Sequence, residues 1–382
     1  MYSSNQSLTI DVLRFPLALA VVFIHMDPET VCLLDADFPM LSYRGVYNIL
    51  GISISHVFAN IAVPMFYVIS GLLFFANMRD WSWSLYKDKM KRRLKTLLIP
   101  YLLWNFIVWM GHLFKIAVSV YKGNSTWESL LSYIHYYNWN VFIDCNVWGA
   151  DQVNILGRTI YSTSPIDHPL WFLRDLIVVT VLSPVLYYLI KKTRLGFIFL
   201  LSLAYISRVW FLIPGFSITA FFFFSLGAYF SITGRELVRF SRVMEKFSIP
   251  LSIVLFAVCC VFDGNRTAIG ANVFPFYIIV TVFAMFAFSS YFVERYDLKP
   301  CQLLVSSVFF IYAAHTVAIF IKWSPIGVAN YMLHSVIPGA SNFETILCYL
   351  LIPLLTTALC VSVYIALRGL FPRFTNCLNG SR

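Results

Sequence analysis

Apolar residues run in blocks along this chain. Ten blocks are long enough to cross a bilayer, at 8–27, 55–76, 97–121, 170–190, 195–213, 215–232, 247–263, 273–292, 304–321 and 345–367, each of about 17 to 25 residues. Polar gaps between most of them are short, so the pattern predicts an all-α fold. That fold is a polytopic membrane bundle of about ten transmembrane helices forming one domain over 1–382. Two gaps are longer, 28–54 and 122–169, and the second is rich in Tyr, Trp, Asn and Ser. Segments of this kind fold as a cap over the helices or contact substrate.

Composition names the solvent. Apolar residues make up 59% of the 382 positions and charged residues 12%, with a mean hydropathy of +0.76; the chain is built for lipid. Its net charge of +10 does not point to nucleic acid, because the basic residues are scattered through short loops and form no stripe. Their distribution gives an orientation instead. With the N-terminus inside, nineteen Lys and Arg fall on the inner side and five on the outer. The positive-inside rule therefore places both termini in the cytoplasm and the protein in the plasma (inner) membrane as a multi-pass chain. Residues 1–8 carry no Lys or Arg and no small-residue cleavage site follows the first apolar run, so that helix is expected to be retained.

The eight cysteines show no CxxC and no Cys/His ligand spacing, so no metal is expected. Cys259, Cys260, Cys348 and Cys360 read as small packing residues inside helices. Cys32 and Cys145 fall in outer segments, where a disulfide is chemically open to them.

Three ionisable side chains interrupt the first apolar run: Asp11, Arg14 and His25. Eleven residues separate Arg14 from His25. At 100° per residue both project from one face, about 16 Å apart along the axis. Asp11 lies one turn before Arg14 and can pair with it. Charges at such depth belong in a bundle interior or a wet cavity, unless Asp11 and Arg14 snorkel at one interface and His25 sits at the other. The arrangement puts a cation toward the inner leaflet and a titratable base toward the outer one.

At these residues the chain resembles the acyltransferase-3 family of integral membrane acyltransferases. The family's first helix carries an Arg or Lys, ten intervening residues and a His, commonly with an Asp three positions before the Arg; Asp11, Arg14 and His25 match. Val63-Pro64-Met65-Phe66-Tyr67-Val68-Ile69-Ser70-Gly71 is similar to the family's aromatic stretch ending in Ser-Gly, a small pair that lets another helix approach. Tyr86-Lys87 to Lys91-Arg92-Arg93-Leu94-Lys95, followed by Ile99-Pro100-Tyr101, resembles its basic segment. The family often has two Arg separated by two residues, whereas here Arg92 and Lys95 hold that spacing with Arg93 between, and Lys lacks the planar fork of Arg. His168-Pro169-Leu170-Trp171-Phe172-Leu173-Arg174 resembles the Leu-Trp-Phe-Leu motif; its Arg174, inside a span, needs a partner. Ser225-Leu226-Gly227 and His315 fall where the family has a Gly and a helix-borne His, though a His among small neighbours also serves as a hydrogen-bonded packing residue.

The resemblance implies an O-acetyltransferase-like enzyme. Acyl-coenzyme A, with acetyl the expected acyl group, would dock its phosphates on Arg92, Arg93 and Lys95, guided by Arg14. His25 would act as general base on a hydroxyl or carry the acyl group as an acyl-imidazole; the residues leave both open. The acceptor would be an extracytoplasmic glycan or lipid-linked sugar. Trp171, Arg174, His315 and Ser70 are further candidates for substrate contact or structure. The competing class is a transporter or flippase for an amphipathic or glycan substrate, since intramembrane Asp, Arg and His also mark such pathways. Its signature, helices broken at matching positions in two halves, is not evident in the sequence.

Overall fold

The computed structural model describes residues 4–26, 28–76, 78, 80–136, 139–144, 152–155, 158–161, 164–211, 213–317, 324–336 and 342–380. Its helices are α1 (Ser4–Ile24), α2 (Tyr43–Phe75), α3 (Trp83–Tyr121), α4 (Trp127–Tyr136), α5 (Trp171–Val181), α6 (Ser183–Thr193), α7 (Leu195–Ser207) and α8 (Ile218–Ile232). They continue with α9 (Leu237–Val243), α10 (Glu245–Val261), α11 (Ala268–Tyr296), α12 (Gln302–Ala314), α13 (Pro325–Val336), α14 (Asn342–Leu370) and α15 (Pro372–Leu378). One difference from an all-helical chain lies in the long segment before α5, where Gln152–Ile155 pairs antiparallel with Arg158–Tyr161. Both strands are four residues long and contain β-branched residues, which suit an extended pair better than a helical turn.

Each of the ten apolar runs overlaps helix among the described residues, though the helix in 195–213 ends at Ser207 and that in 304–321 at Ala314. By length and composition, five helices (α1, α2, α3, α11 and α14) can cross a bilayer alone. The pairs α5–α6 and α9–α10, bent by 64° and 80°, bring the number to seven if each pair is one span. Pro184 at the second position of α6 supplies one bend, since proline cannot donate to the preceding turn. The apolar helices α7, α8 and α12 are shorter, so ten crossings and a cytoplasmic N-terminus rest on the sequence pattern. Lipid as the outer solvent is written on α3, where Leu102, Phe106, Met110 and Phe114 recur every fourth residue and all are exposed.

The tightest packing is between α2 and α8. A Cβ on Gly71 would meet the Phe224 carbonyl oxygen at 2.0 Å, and one on Gly227 would meet that of Val68 at 2.0 Å. Two hydrogen side chains let the backbones touch, and Ser231 Oγ donates to the Leu72 carbonyl (2.7 Å) across the same seam. Helix α8 is thus the neighbour that the Ser70–Gly71 pair admits. Gly227→Ala is expected to destabilise the protein by about 1–3 kcal/mol, read as a lower thermal midpoint in fluorescence-detected gel filtration. Gly369→Ala, with nothing within 4 Å of its Cβ position, is the control; equal midpoints for the two variants would contradict this packing.

Candidate active site

Helix α1 ends at Ile24, so His25 meets carbonyls of a last turn that have no intrahelical donor. Its Nδ1 donates to the Val21 carbonyl at 3.0 Å. Helix α12 ends in the same way at Ala314, and the fully buried His315 turns its Nδ1 to the carbonyls of Ile311 (3.1 Å) and Tyr312 (2.9 Å). Two carbonyls can only accept, so the proton of His315 is on Nδ1 and its Nε2 carries a lone pair. That Nε2 lies 3.1 Å from His25 Nδ1. His25 Nδ1 must therefore be the donor, and we assign the lone pair of His25 to Nε2 from this network. The two rings meet edge to face, 4.7 Å between centroids. The effect is that of an orienting partner fixing the tautomer of a base.

A third imidazole stands by. His168, on the single turn before α5, presents its ring 6.2 Å from that of His25, with its Nδ1 2.8 Å from Ser164 Oγ. His25, His168 and Trp171 line a cavity of ≈ 360 Å³, together with Asn60, Arg208 and Asn265. The volume lies within the range of small-ligand sites. Its wall is tied down by a separate buried group. His56 Nδ1 and Asp263 Oδ1 are 2.6 Å apart and Thr30 Oγ1 donates to Asp263 Oδ2 at 2.8 Å. Asn60 Nδ2 in turn donates to the His56 carbonyl at 3.1 Å. This holds Asn60 from α2 and the turn before Asn265 in one frame.

Arg174 finds partners away from the cavity lining: Nε donates to the buried Asp175 (2.9 Å) and Nη1 to the carbonyl of the exposed Ile143 (2.6 Å). Pairing with an acid and a carbonyl offsets the cost of burying the cation. Nearby, burial pushes the Asp167 carboxyl well above the usual carboxylate range, which favours its uncharged form beside His168.

Asp11 and Arg14 form an ion pair of 3.0 Å, each side chain 31% exposed, and among the described residues neither lines the cavity. The basic segment lies at the far end of α2. Lys89 donates to the Phe74 carbonyl and to that of Ala76 (2.9 Å), and Arg93 places its guanidinium 5.7 Å from the centre of the Phe74 ring. Arg92 and Lys95 are exposed, Arg93 is half-buried, and a π-helical turn, Leu94–Leu98, follows. Ser70 is half-buried on α2 beside Gly71.

The structure thus places His25 and Trp171 at one cavity, with the buried His315 against His25 behind its wall, and leaves Arg14 with Asp11 elsewhere on α1. Arg92, Arg93 and Lys95 sit beyond the end of α2. Sequence reasoning missed Asn60, Asn265 and Arg208, and the role of His168 as a neighbour of His25. His56 had a usable signal, an imidazole inside an apolar run that calls for a partner. Cys32 donates to the Val261 carbonyl (3.3 Å); Cys145 lies outside the described residues.

Comparison with known proteins gives two matches. The family model described as an acyltransferase domain matches residues 8–366. The succinoglycan biosynthesis protein ExoH of Rhizobium meliloti (strain 1021) is 23% identical over 402 residues, covering 99% of this chain and 93% of that protein. No solved structure is significantly similar.

Proposed function

The chain belongs to the acyltransferase-3 family, and from that premise we propose that it moves an acyl group from cytoplasmic acyl-coenzyme A to a hydroxyl of an extracytoplasmic or lipid-linked glycan. The whole chain works as one domain in the inner membrane, with both termini cytoplasmic. The observation that carries the reading is the His25–His315 contact at the cavity, which leaves an imidazole lone pair on His25 Nε2. A glycan acceptor is supported by the printed name of the relative, a succinoglycan biosynthesis protein.

In the transfer, the acceptor hydroxyl gives its proton to His25 Nε2 as its oxygen attacks the thioester carbonyl. The C–O bond forms, the C–S bond breaks, and the imidazolium returns the proton to the coenzyme A thiolate. Arg92, Arg93 and Lys95 hold the coenzyme A phosphates at the inner face, where Arg and Lys suit such anions. Arg14, between that segment and His25 along α1, guides the donor, with acetyl the acyl group expected. Trp171 shapes the cavity wall on which the acceptor rests.

The test is sided. Vesicles reconstituted with the protein, loaded with labelled acyl-coenzyme A and given glycan outside, are expected to form ester-linked label on the glycan. Label that forms only when the donor is outside would overturn the reading. Arg14→Ala is expected to raise the KM for acyl-coenzyme A about tenfold, equivalent to about 1.4 kcal/mol of donor binding, with kcat little changed. An unaltered dependence of rate on donor concentration would remove Arg14 from this role.

A further inference from the structure

Arg208 follows α7 with its backbone in the left-handed region (φ 57°, ψ 22°), a conformation unfavourable for a non-glycine residue and retained where the surroundings impose it. Its Nη2 donates to the Ala271 carbonyl at 2.6 Å, which pins the side chain, half-buried, against the start of α11. The guanidinium lines the same cavity as His25, and no Asp or Glu is among the described residues that line it. Among the described residues no ion pair involves Arg208. The contrast with the other deep cations is direct, since Arg14 has Asp11 and Arg174 has Asp175. A permanently charged group within an apolar wall is costly without an opposite charge, so the missing anion belongs to whatever fills the cavity.

We propose that the cavity recognises a carboxylate on the substrate and that Arg208 is the residue that selects it. One N–H of Nη2 goes to the Ala271 carbonyl; its second N–H, together with one from Nε or Nη1, can still form one two-point fork onto a carboxylate. The carboxylate comes from one of two sources, an acidic sugar of the acceptor or a dicarboxylic acyl group on the donor. Naming the substrate as acceptor or donor rests on the acyl-transfer reading; the charge preference of the cavity does not.

Binding to the full-length protein in detergent, with no turnover required, separates these points. The probes are methyl glucuronoside against methyl glucoside for the acceptor source, and succinyl-coenzyme A against acetyl-coenzyme A for the donor source. In one of the two pairs the carboxylate probe is expected to bind at least about tenfold tighter to the wild-type protein, the scale of one charge-assisted contact. Arg208→Gln is expected to bring that pair within about twofold, and Arg208→Lys to keep part of the preference. A wild-type protein that shows no preference in either pair overturns the proposal, and needs no variant to fold. A preference that survives in Arg208→Gln overturns it as well. Absence of acyl transfer in the same preparation would instead count against the catalytic reading and leave the charge preference standing.

Discussion

His25→Ala is expected to lower acyl transfer in reconstituted vesicles by about 10²–10⁴-fold, the range a positioned general base contributes, with little change in the KM for donor or acceptor. The expectation follows from position and protonation together. His25 lines the cavity, and its Nδ1 is held as a donor between Val21 and His315, so the substitution removes, with the ring, the Nε2 assigned the lone pair. Alanine keeps the helical end of α1, and because His25 is only partly buried the lost contact is confined to its edge-to-face packing and hydrogen bond with His315. The variant should therefore insert in the membrane as the wild-type protein does. A transfer rate within a few-fold of wild type, at equal membrane level, would take His25 out of the chemistry.

His315→Leu is expected to lower kcat by roughly 10²-fold through a different route, and to leave both KM values close to wild type. His315 is a positioning residue: it is fully buried and acts on the acceptor only through the proton of His25 Nδ1. Leucine fills similar space but offers no acceptor, so the hydrogen bond by which His315 helps select the tautomer is lost. His315→Gln separates orientation from packing. Its amide nitrogen can donate to the Ile311 and Tyr312 carbonyls while its oxygen accepts from His25, so it should recover activity to within about tenfold of wild type. Losing a partner of this outer kind typically costs 10–100-fold. If Gln and Leu were equally impaired with unaltered thermal midpoints, the orienting role would fail.

Much of the fold was legible because lipid imposes a simple rule: a backbone in hydrocarbon must satisfy its own hydrogen bonds, so apolar runs become helices. Every predicted span overlaps helix among the described residues, and five to seven of the helices are long and apolar enough to cross a bilayer. Hydropathy could not reveal that Leu182 and Met244 are corners, with α5–α6 and α9–α10 turning sharply there, because a bent pair and a straight span have the same composition. Nor could it reveal the π-helical turns at Gly51–Phe58 and Leu94–Leu98, which change hydrogen-bond register without changing apolarity.

The site divides along the same line. Asp11, Arg14 and His25 could be read from one helix, since their relation is set by helical geometry alone, and the 3.0 Å Asp11–Arg14 pair is a contact between residues one turn apart. The contact of His25 with His315 spans 290 positions and that of His56 with Asp263 spans 207. Such pairs depend on where helices end in space. Arg208 shows the limit most clearly: in the sequence it is one more cation in an apolar run, and only its place in a cavity with no acid among the described lining residues gives it a chemical meaning.

The central claim is that this chain acylates a surface glycan through His25. The most direct measurement is mass spectrometry of surface polysaccharides and lipids from cells lacking the gene, complemented with the wild-type chain or with His25→Ala at matched membrane levels. The account predicts that an ester-linked acyl group is lost with the gene, restored by the wild-type chain and not restored by His25→Ala. Acylation that is unchanged without the gene, or fully restored by His25→Ala, would contradict it.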